Sequence, residues 1–484
     1  MRHDCESLDR VGFVDSTPFE LNPRVALRDT PTMPTCRSLL RVLAASLAFA
    51  SQAFADNSLP GPYPVSQRTV TVTRANNTTF TAQIRYPATS SAASSPFAAA
   101  AAPAPALSFG HGFLSAVDLY DSTMDHLASH GYIVIATTSE GGLFPSHSNF
   151  ALDIRQCLTW LEQQNTLKTS WLVGRVDAAR FAVGGHSMGG GASALAAAAD
   201  ARIKCLVTLA AAETNPSAAA AAASVQVPSR FIVGSQDTIV APATTQNQYN
   251  ACDAPRQFVT IAGGSHCGFI DSAIIACDSG SISRADQLAK TRALMLEFLD
   301  THLRGDASDF AAVWGAGAPV AGTTTTRDAR TVLTLTDGAL NGAAGTELVT
   351  TMSVANAGPD ATAIRPRAGT APFAVTFEPA ESGVLAAGST AVFTVRVSSP
   401  VAVSGAVVVD AVRVRDGAGA ARSLSATFTP AANPADLDGD GGVGSGDLGI
   451  LLSAWGACSG CAADIDSDGE VGSSDLGILL SNWS

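Results

Sequence analysis

The sequence predicts three parts in series: an α/β unit with a doubly wound, mostly parallel sheet, an all-β sandwich, and a small α-helical module of acidic repeats. Three observations carry this. Short apolar runs alternate with helical patterns from about residue 66 to 305, the periodicity changes to two between about 328 and 430, and the last fifty residues contain an internal repeat. A chain of 484 residues is too long for one core, so several units are expected.

In the first part, Thr69–Thr73 and Phe80–Tyr86 flank Asn76-Asn77 and predict an antiparallel pair opening the sheet. Leu107–Phe109, Ile133–Ala136, Phe181–Val183, Cys205–Leu209, Phe231–Val233 and Phe258–Ile261 are short apolar runs of the kind buried on both faces. Between them, Leu152, Ile154, Leu158 and Leu161 are placed on one helix face, and Leu288 to Leu303 makes a closing amphipathic helix. The unit is set at 57–316, ended by the Gly/Ala/Thr-rich stretch Gly315 to Thr326. Within 328–430, Phe393, Val395 and Val397 alternate with Thr394 and Arg396, and Val412 and Val414 with Arg413 and Arg415. With turn clusters such as Asn356-Ala357-Gly358-Pro359, they predict an immunoglobulin-like sandwich serving as a spacer.

The chain also carries an address. Arg37 and Arg41, the apolar stretch Val42 to Ala50 and the small-residue site Ala53-Phe54-Ala55 read as a signal peptide over 33–55, too short to span a bilayer. The polar residues 1–32 are read as an upstream extension, with translation starting at Met33. A secreted chain with no transmembrane segment in its mature form is therefore expected. Seven cysteines would survive cleavage, and the odd number in the first unit leaves at least one thiol there unpaired. Cys157 and Cys205 sit in apolar patterns and read as buried hydrophobes. Net charge is −13, but residues 434–484 hold eight Asp and one Glu with no Lys or Arg and so supply −9 of it. The nearly neutral remainder argues against nucleic acid as a partner.

The chemistry centres on Gly185-His186-Ser187-Met188-Gly189, a G-x-S-x-G pattern between the apolar strand Phe181–Val183 and a helix opening at Gly190-Gly191-Ala192. A nucleophile on so tight a strand-to-helix turn needs neighbours without Cβ, and the turn aims helix-start N–H groups at a developing oxyanion. A serine hydroxyl is a poor nucleophile alone and requires a base and an orienting acid. Asp237 follows strand Phe231–Val233, and His266 follows the strand ending at Ile261, in the Ser–Asp–His order. His111, His126, His130, His147 and His186 precede the nucleophile, and His302 lies on the last helix. The loop Phe109-Gly-His-Gly-Phe113 supplies the second oxyanion donor, so the hole is assigned to the N–H groups of Phe113 and Met188, with His111 shaping the loop. Catalysis would need no cofactor.

With these residues in place, the region 57–305 resembles the secreted polyester hydrolases, the bacterial cutinase and PET hydrolase group of the dienelactone-hydrolase-like α/β-hydrolases. The matching stretches are Leu127–Ile135, Val176–Arg180, Gly185–Gly191, Asp237–Pro242 and Gly263–His266. The resemblance implies the α/β hydrolase fold and a serine esterase acting through an acyl-enzyme, with Ser187, Asp237 and His266 as its triad and Phe113 and Met188 as its oxyanion donors. Most of that family has Tyr where Phe113 stands, and Ala212 falls where the family places a Trp that clamps aromatic polyester units. This chain is therefore expected to favour small or aliphatic esters, Phe269 being the alternative ring if it does not. Thr214 to Ala223 is an Ala-rich insert of unassigned role, and Cys252, Cys267 and Cys277 do not reproduce the family's cysteine pattern.

In the last fifty residues Asp436-Leu-Asp-Gly-Asp-Gly recurs as Asp464-Ile-Asp-Ser-Asp-Gly, each followed by Asp-Leu-Gly-Ile-Leu-Leu. These repeats resemble type I dockerin modules. The resemblance implies two Ca2+ ions, one held by Asp436, Asp438, Asp440 and Asp447 with the carbonyl of Gly442, the other by Asp464, Asp466, Asp468 and Asp475 with that of Glu470. It also implies a cohesin-like or cell-surface partner. Cys458 and Cys461, between the copies, suit a local disulfide or free thiols rather than zinc, which needs two more ligands. Two other readings stand beside the ester hydrolase: a carbohydrate esterase acting on acetyl or feruloyl groups, and an adhesion or scaffold protein whose hydrolase has lost activity.

Overall fold

The computed structural model describes residues 57–484 apart from 306, 316 and 318. The upstream extension and the signal peptide lie outside the described residues. The apolar runs of the first part become one nine-stranded sheet. Its strands are β1 (Val65–Thr73), β2 (Thr79–Pro87), β3 (Ala104–Gly110), β4 (Ile133–Thr137), β5 (Val176–His186), β6 (Ile203–Leu209), β7 (Ser229–Gly234), β8 (Arg256–Ile261) and β9 (Thr323–Asp328). Their order across the sheet is β1-β2-β4-β3-β5-β6-β7-β8-β9. The six strands from β4 to β8 run parallel, and β1, β2 and β9 run antiparallel to their neighbours.

Helices cover both faces, as a sheet of fully buried strands requires. On one face lie α2 (His147–Thr166) and α3 (Met188–Ala199), which share a core with α4 (Ala218–Ala222) and α5 (Pro242–Ala251). On the other lie α1 (Asp121–Ser129), α6 (Arg284–Leu299) and α7 (Ala307–Val313), around Leu127, Leu294, Phe298 and Phe310. The Ala-rich insert is the approach to α4, whose Ala218 and Ala222 are buried. One helix face differs from expectation. On α2 the buried stripe runs through Phe150, Ile154, Leu158 and Leu161, while Leu152 points outward.

The boundary differs too. Thr323 to Thr326, read as part of the linker, belong to β9, which pairs along the whole of β8 from Thr323↔Ile261 to Asp328↔Arg256. The α/β unit therefore runs past 316. A run of threonines shows no apolar alternation, yet its β-branched side chains suit an edge strand that buries few atoms.

Beyond β9, β10 (Thr331–Leu335), β11 (Ala339–Ala343), β12 (Glu347–Asn356), β13 (Ile364–Ala368), β14 (Ala374–Glu378), β15 (Thr390–Ser398), β16 (Val403–Arg413) and β17 (Gly419–Thr429) form two four-stranded sheets around one core. These sheets pack against the first unit. Ala418 joins the apolar cluster of Phe310, Val313 and Trp314. His302 places Nδ1 2.8 Å from the carbonyl of Asp416, and its Nε2 accepts from the Trp314 indole at 3.1 Å. The acidic repeats form two short helices, α8 (Ser445–Ser453) and α9 (Ser473–Ser481), on a small apolar cluster of their own that includes Leu451 and Leu479. Among the described residues no helix is long and apolar enough to cross a membrane.

Candidate active site

Ser187 stands where β5 ends and α3 begins, with φ 54° and ψ −118°. A side chain rarely adopts such a backbone, and it persists only where surrounding bonds fix it. Here the Ser187 N–H donates to the Leu209 carbonyl at 2.9 Å, and the Ser187 carbonyl accepts from Ala212 at 2.9 Å and Gly191 at 3.1 Å. Parallel pairing sets Gly110 beside Gly185 at the carboxyl ends of β3 and β5. A Cβ on Gly189 would overlap the Gly110 carbonyl, so the loop after β3 rests on the first turn of α3. That contact brings the loop of Phe113 to the helix start at Met188, whose first-turn N–H groups have no partner within the helix.

Tyr120 locks this arrangement. Its hydroxyl accepts from the Gly112 N–H at 2.9 Å and is bonded to His186 Nδ1 at 2.9 Å. Burial pushes the Tyr120 phenol up to about 12. His186 is held well below its ordinary value by burial and by the nearby His266, so both groups are neutral at pH 7. The His111 ring nitrogens lie 2.8 Å and 2.9 Å from the carbonyls of Gly112 and Ser139. His111 thus shapes the loop, as expected.

The base and acid come from the next two crossovers. His266 Nδ1 lies 2.8 Å from Asp237 Oδ2, and the other Asp237 oxygen accepts from the N–H groups of Ile239 at 3.0 Å and Val240 at 2.8 Å. Both side chains are buried. A carboxylate on Nδ1 fixes the tautomer in which Nε2 is free to take a proton. The His266 ring packs 4.4 Å from that of His186, the residue before Ser187. Ser187, Asp237 and His266 thus follow the carboxyl ends of β5, β7 and β8, on one side of the sheet.

Three further residues hold the site without any signal in the sequence. Besides Tyr120, Gln287 on α6 accepts from the Ser265 N–H at 2.9 Å and donates to the Ser265 carbonyl at 2.8 Å. Asp278 accepts from Thr238, His266 and Cys267 and is drawn to them by the Cys267–Cys277 disulfide. Cys157, Cys205 and Cys252 are unpaired and buried.

Around the site, Phe113, Leu114, Leu143 and Ile239 are exposed and Phe144 is 97% exposed. Phe269 is fully buried, 5.7 Å from the His186 ring, and cannot serve as a surface clamp. Ala212 is half-buried, and its N–H is committed to Ser187.

In the terminal repeats, carboxylate oxygens of Asp436, Asp438 and Asp440 lie within 4.8 Å of one another, as do those of Asp464, Asp466 and Asp468. The expected fourth carboxylates lie outside these groups. Asp447 accepts from the N–H groups of Leu437, Asp438 and Gly444, and Asp475 from those of Ile465, Asp466 and Gly472. These bonds, led by the one from the helix-start glycine in each copy, hold both carboxyls below their ordinary value. Gly442 and Glu470 turn their N–H groups to Asp440 and Asp468 at 2.9 Å in both copies. Cys458 and Cys461 form the local disulfide.

Residues 51–285 match the family model of PET hydrolase-like proteins. Among curated proteins, a cutinase of Thermobifida alba (est2) is 30% identical over 146 residues, 29% of this chain and 46% of the relative. A second cutinase of that organism (est1) is 33% identical over 129 residues, 26% of this chain and 40% of the relative. Cutinase 2 of Thermobifida cellulosilytica is 30% identical over 146 residues, 29% and 52%. The matched stretch thus spans about half the length of these relatives.

Proposed function

We propose that this chain is a secreted serine esterase that hydrolyses carboxylic esters through an acyl-enzyme. The observation that carries the reading is the buried His266–Asp237 hydrogen bond of 2.8 Å, at strand ends beside a nucleophile held at φ 54°. In this mechanism His266 Nε2 takes the proton of the Ser187 hydroxyl as its Oγ attacks the ester carbonyl. The N–H groups of Phe113 and Met188 stabilise the oxyanion, a contribution of about 3–4 kcal/mol per donor in comparable sites. His266 then protonates the leaving alcohol, and water repeats the sequence on the acyl group. Asp237 stays ionised and stabilises the imidazolium. The likeness of residues 51–285 to PET hydrolases and cutinases supports this chemistry.

The exposed apolar side chains of Phe113, Leu114 and Ile239 on the loops of the site suit an aliphatic acyl chain, and Ala212 offers no ring for an aromatic one. The terminal repeats are proposed to bind two calcium ions and to dock on a cohesin-like or cell-surface partner. Their carboxylates fit such an ion, because Asp464 Oδ1 is buried with no hydrogen-bond partner beside the two other acids of its loop. The test is direct. The purified full chain should turn over p-nitrophenyl butyrate and be labelled by a fluorophosphonate on Ser187. Absence of both would overturn the reading.

A further inference from the structure

The loop between β8 and α6 holds a carboxylate that the mechanism above does not use. Asp278 Oδ2 accepts from the main-chain N–H of His266 at 2.9 Å and of Thr238 at 3.1 Å, while its Oδ1 accepts from the N–H of Cys267 at 2.9 Å. Thr238 follows Asp237 directly, and Cys267 follows His266. One side chain thus grips the residues next to the acid and at the base, on two loops 29 residues apart in sequence. The Cys267–Cys277 disulfide, closing over ten residues, returns the chain so that Asp278 lies against its targets.

We propose that Asp278 is a positioning residue for the His266–Asp237 pair and the second carboxylate in the field of that imidazole, an inference that rests on the esterase reading. Asp278 touches main chain, so it neither takes nor gives the reacting proton. Its work is to hold the two loops in register, because a base displaced by about 1 Å from a nucleophile loses about a hundredfold in rate. Charge-assisted bonds to N–H groups are about twice as strong as neutral ones, which suits a clamp made by a single half-buried side chain. Burial raises the Asp278 carboxyl, but the N–H groups of Cys267, His266 and Thr238, with the charge of His266, outweigh that and hold it below its ordinary value. It therefore stays ionised wherever the imidazole works. The charged or titratable groups facing the pair are Asp237 on Nδ1, His186 with its ring 4.4 Å away, and Arg284, whose Nε donates to the Cys267 carbonyl at 3.3 Å.

The experiment compares the full chain with Asp278→Asn and Asp278→Glu. Asn has the size of Asp but lacks the charge and one acceptor. It should lower kcat on p-nitrophenyl butyrate about 10- to 100-fold with KM changed less than about threefold. Loss of a nearby anion makes the imidazolium harder to form, so the acid limb of kcat/KM should move to lower pH. Glu keeps the charge with altered reach, so kcat should fall while the acid limb stays in place. A merely structural role would lower the melting temperature and leave kcat and the profile unmoved in folded protein. That result, in Asn or, should Asn not fold, in Glu, overturns the proposal. A third readout needs no turnover: the low-field proton resonance of His266 Nδ1–H should broaden or vanish in Asp278→Asn, and its persistence unchanged also overturns it. A wild-type chain that neither hydrolyses esters nor reacts with fluorophosphonate fails the esterase reading instead, and the clamp is then judged on the resonance.

Discussion

Carboxylates gather in two regions of this molecule, and they differ in what stands beside them. At the strand ends, Asp237 and Asp278 together accept from His266 Nδ1 and five main-chain N–H groups, so the fold itself supplies every counterpart. In the terminal repeats, two groups of three carboxylates lie within 4.8 Å of one another in a segment with no Lys or Arg. At that spacing each like-charged pair costs about 1 kcal/mol even in bulk water. Main-chain N–H groups reach the acids of the repeats as well, Asp436 from Gly439 and Gly441 and Asp464 from Gly469, so the difference lies in the crowding of three carboxylates where the first region sets one carboxylate against an imidazole.

The largest effect that tests this contrast is Ser187→Ala, which should lower ester turnover by at least about a thousandfold while the fold survives. Activity on p-nitrophenyl acetate within about tenfold of wild type would place the nucleophile elsewhere. Chelation should act on the other region alone. Removing calcium should make residues 434–484 sensitive to protease, since the clustered carboxylates then repel one another, and should leave esterase activity within experimental error. Equal protease resistance with and without EDTA would remove the metal from the account.

Acid should separate the regions again. Burial, the largest cause in each case, holds His126 down to about 4 and His302 down to about 3, and His186 lies well below its ordinary value. In the unfolded chain these imidazoles titrate near their ordinary 6.5, so unfolding takes up protons below that pH. The stability they contribute is whole above about pH 6.5 and is lost as pH falls toward 4. Asp410, raised by burial to about 6, works the other way, losing its contribution as pH rises from 3.8 through 6, and offsets part of the slope. The melting temperature of the chain should therefore drop by several degrees between pH 7 and 4.5, and His302→Leu should flatten that slope while lowering the value at pH 7. A melting temperature constant over this range would show that the imidazoles are not buried as described. The smallest effect concerns substrate. Wild type should prefer p-nitrophenyl butyrate to aromatic polyester, and Ala212→Trp should improve the polyester selectively, by up to about tenfold if the ring adds 1.4 kcal/mol in the transition state. Equal wild-type activity on both would point to Phe144, the exposed ring on the loop after β4, rather than to Phe269.

How much of this could be read in advance depended on whether a residue's role is written in its neighbours. Ser187, Asp237 and His266 each follow an apolar strand, and the structure pairs His266 with Asp237 at 2.8 Å on the side of the sheet where Ser187 stands. Asp278 and Gln287 act on main chain across loops whose shape no periodicity encodes. Tyr120 lies 66 residues from the histidine it meets. Strand β9 was hidden because edge pairing needs N–H and C=O groups, which every residue has, rather than an apolar face. Leu152 misled for the converse reason: a leucine at helical spacing does not have to be buried.

The direction of β9 fixes where the sandwich joins the α/β unit. Because it runs antiparallel to β8, the chain enters the sheet at Ile261, on the side of the catalytic loops, and leaves it at Arg256, on the far side. The sandwich is joined there, with Val414 to Gly417 lining a cavity beside Arg180 of β5 and Lys204 near the start of β6. The sandwich is therefore reached from the end of the sheet away from the loops that carry Ser187, Asp237 and His266.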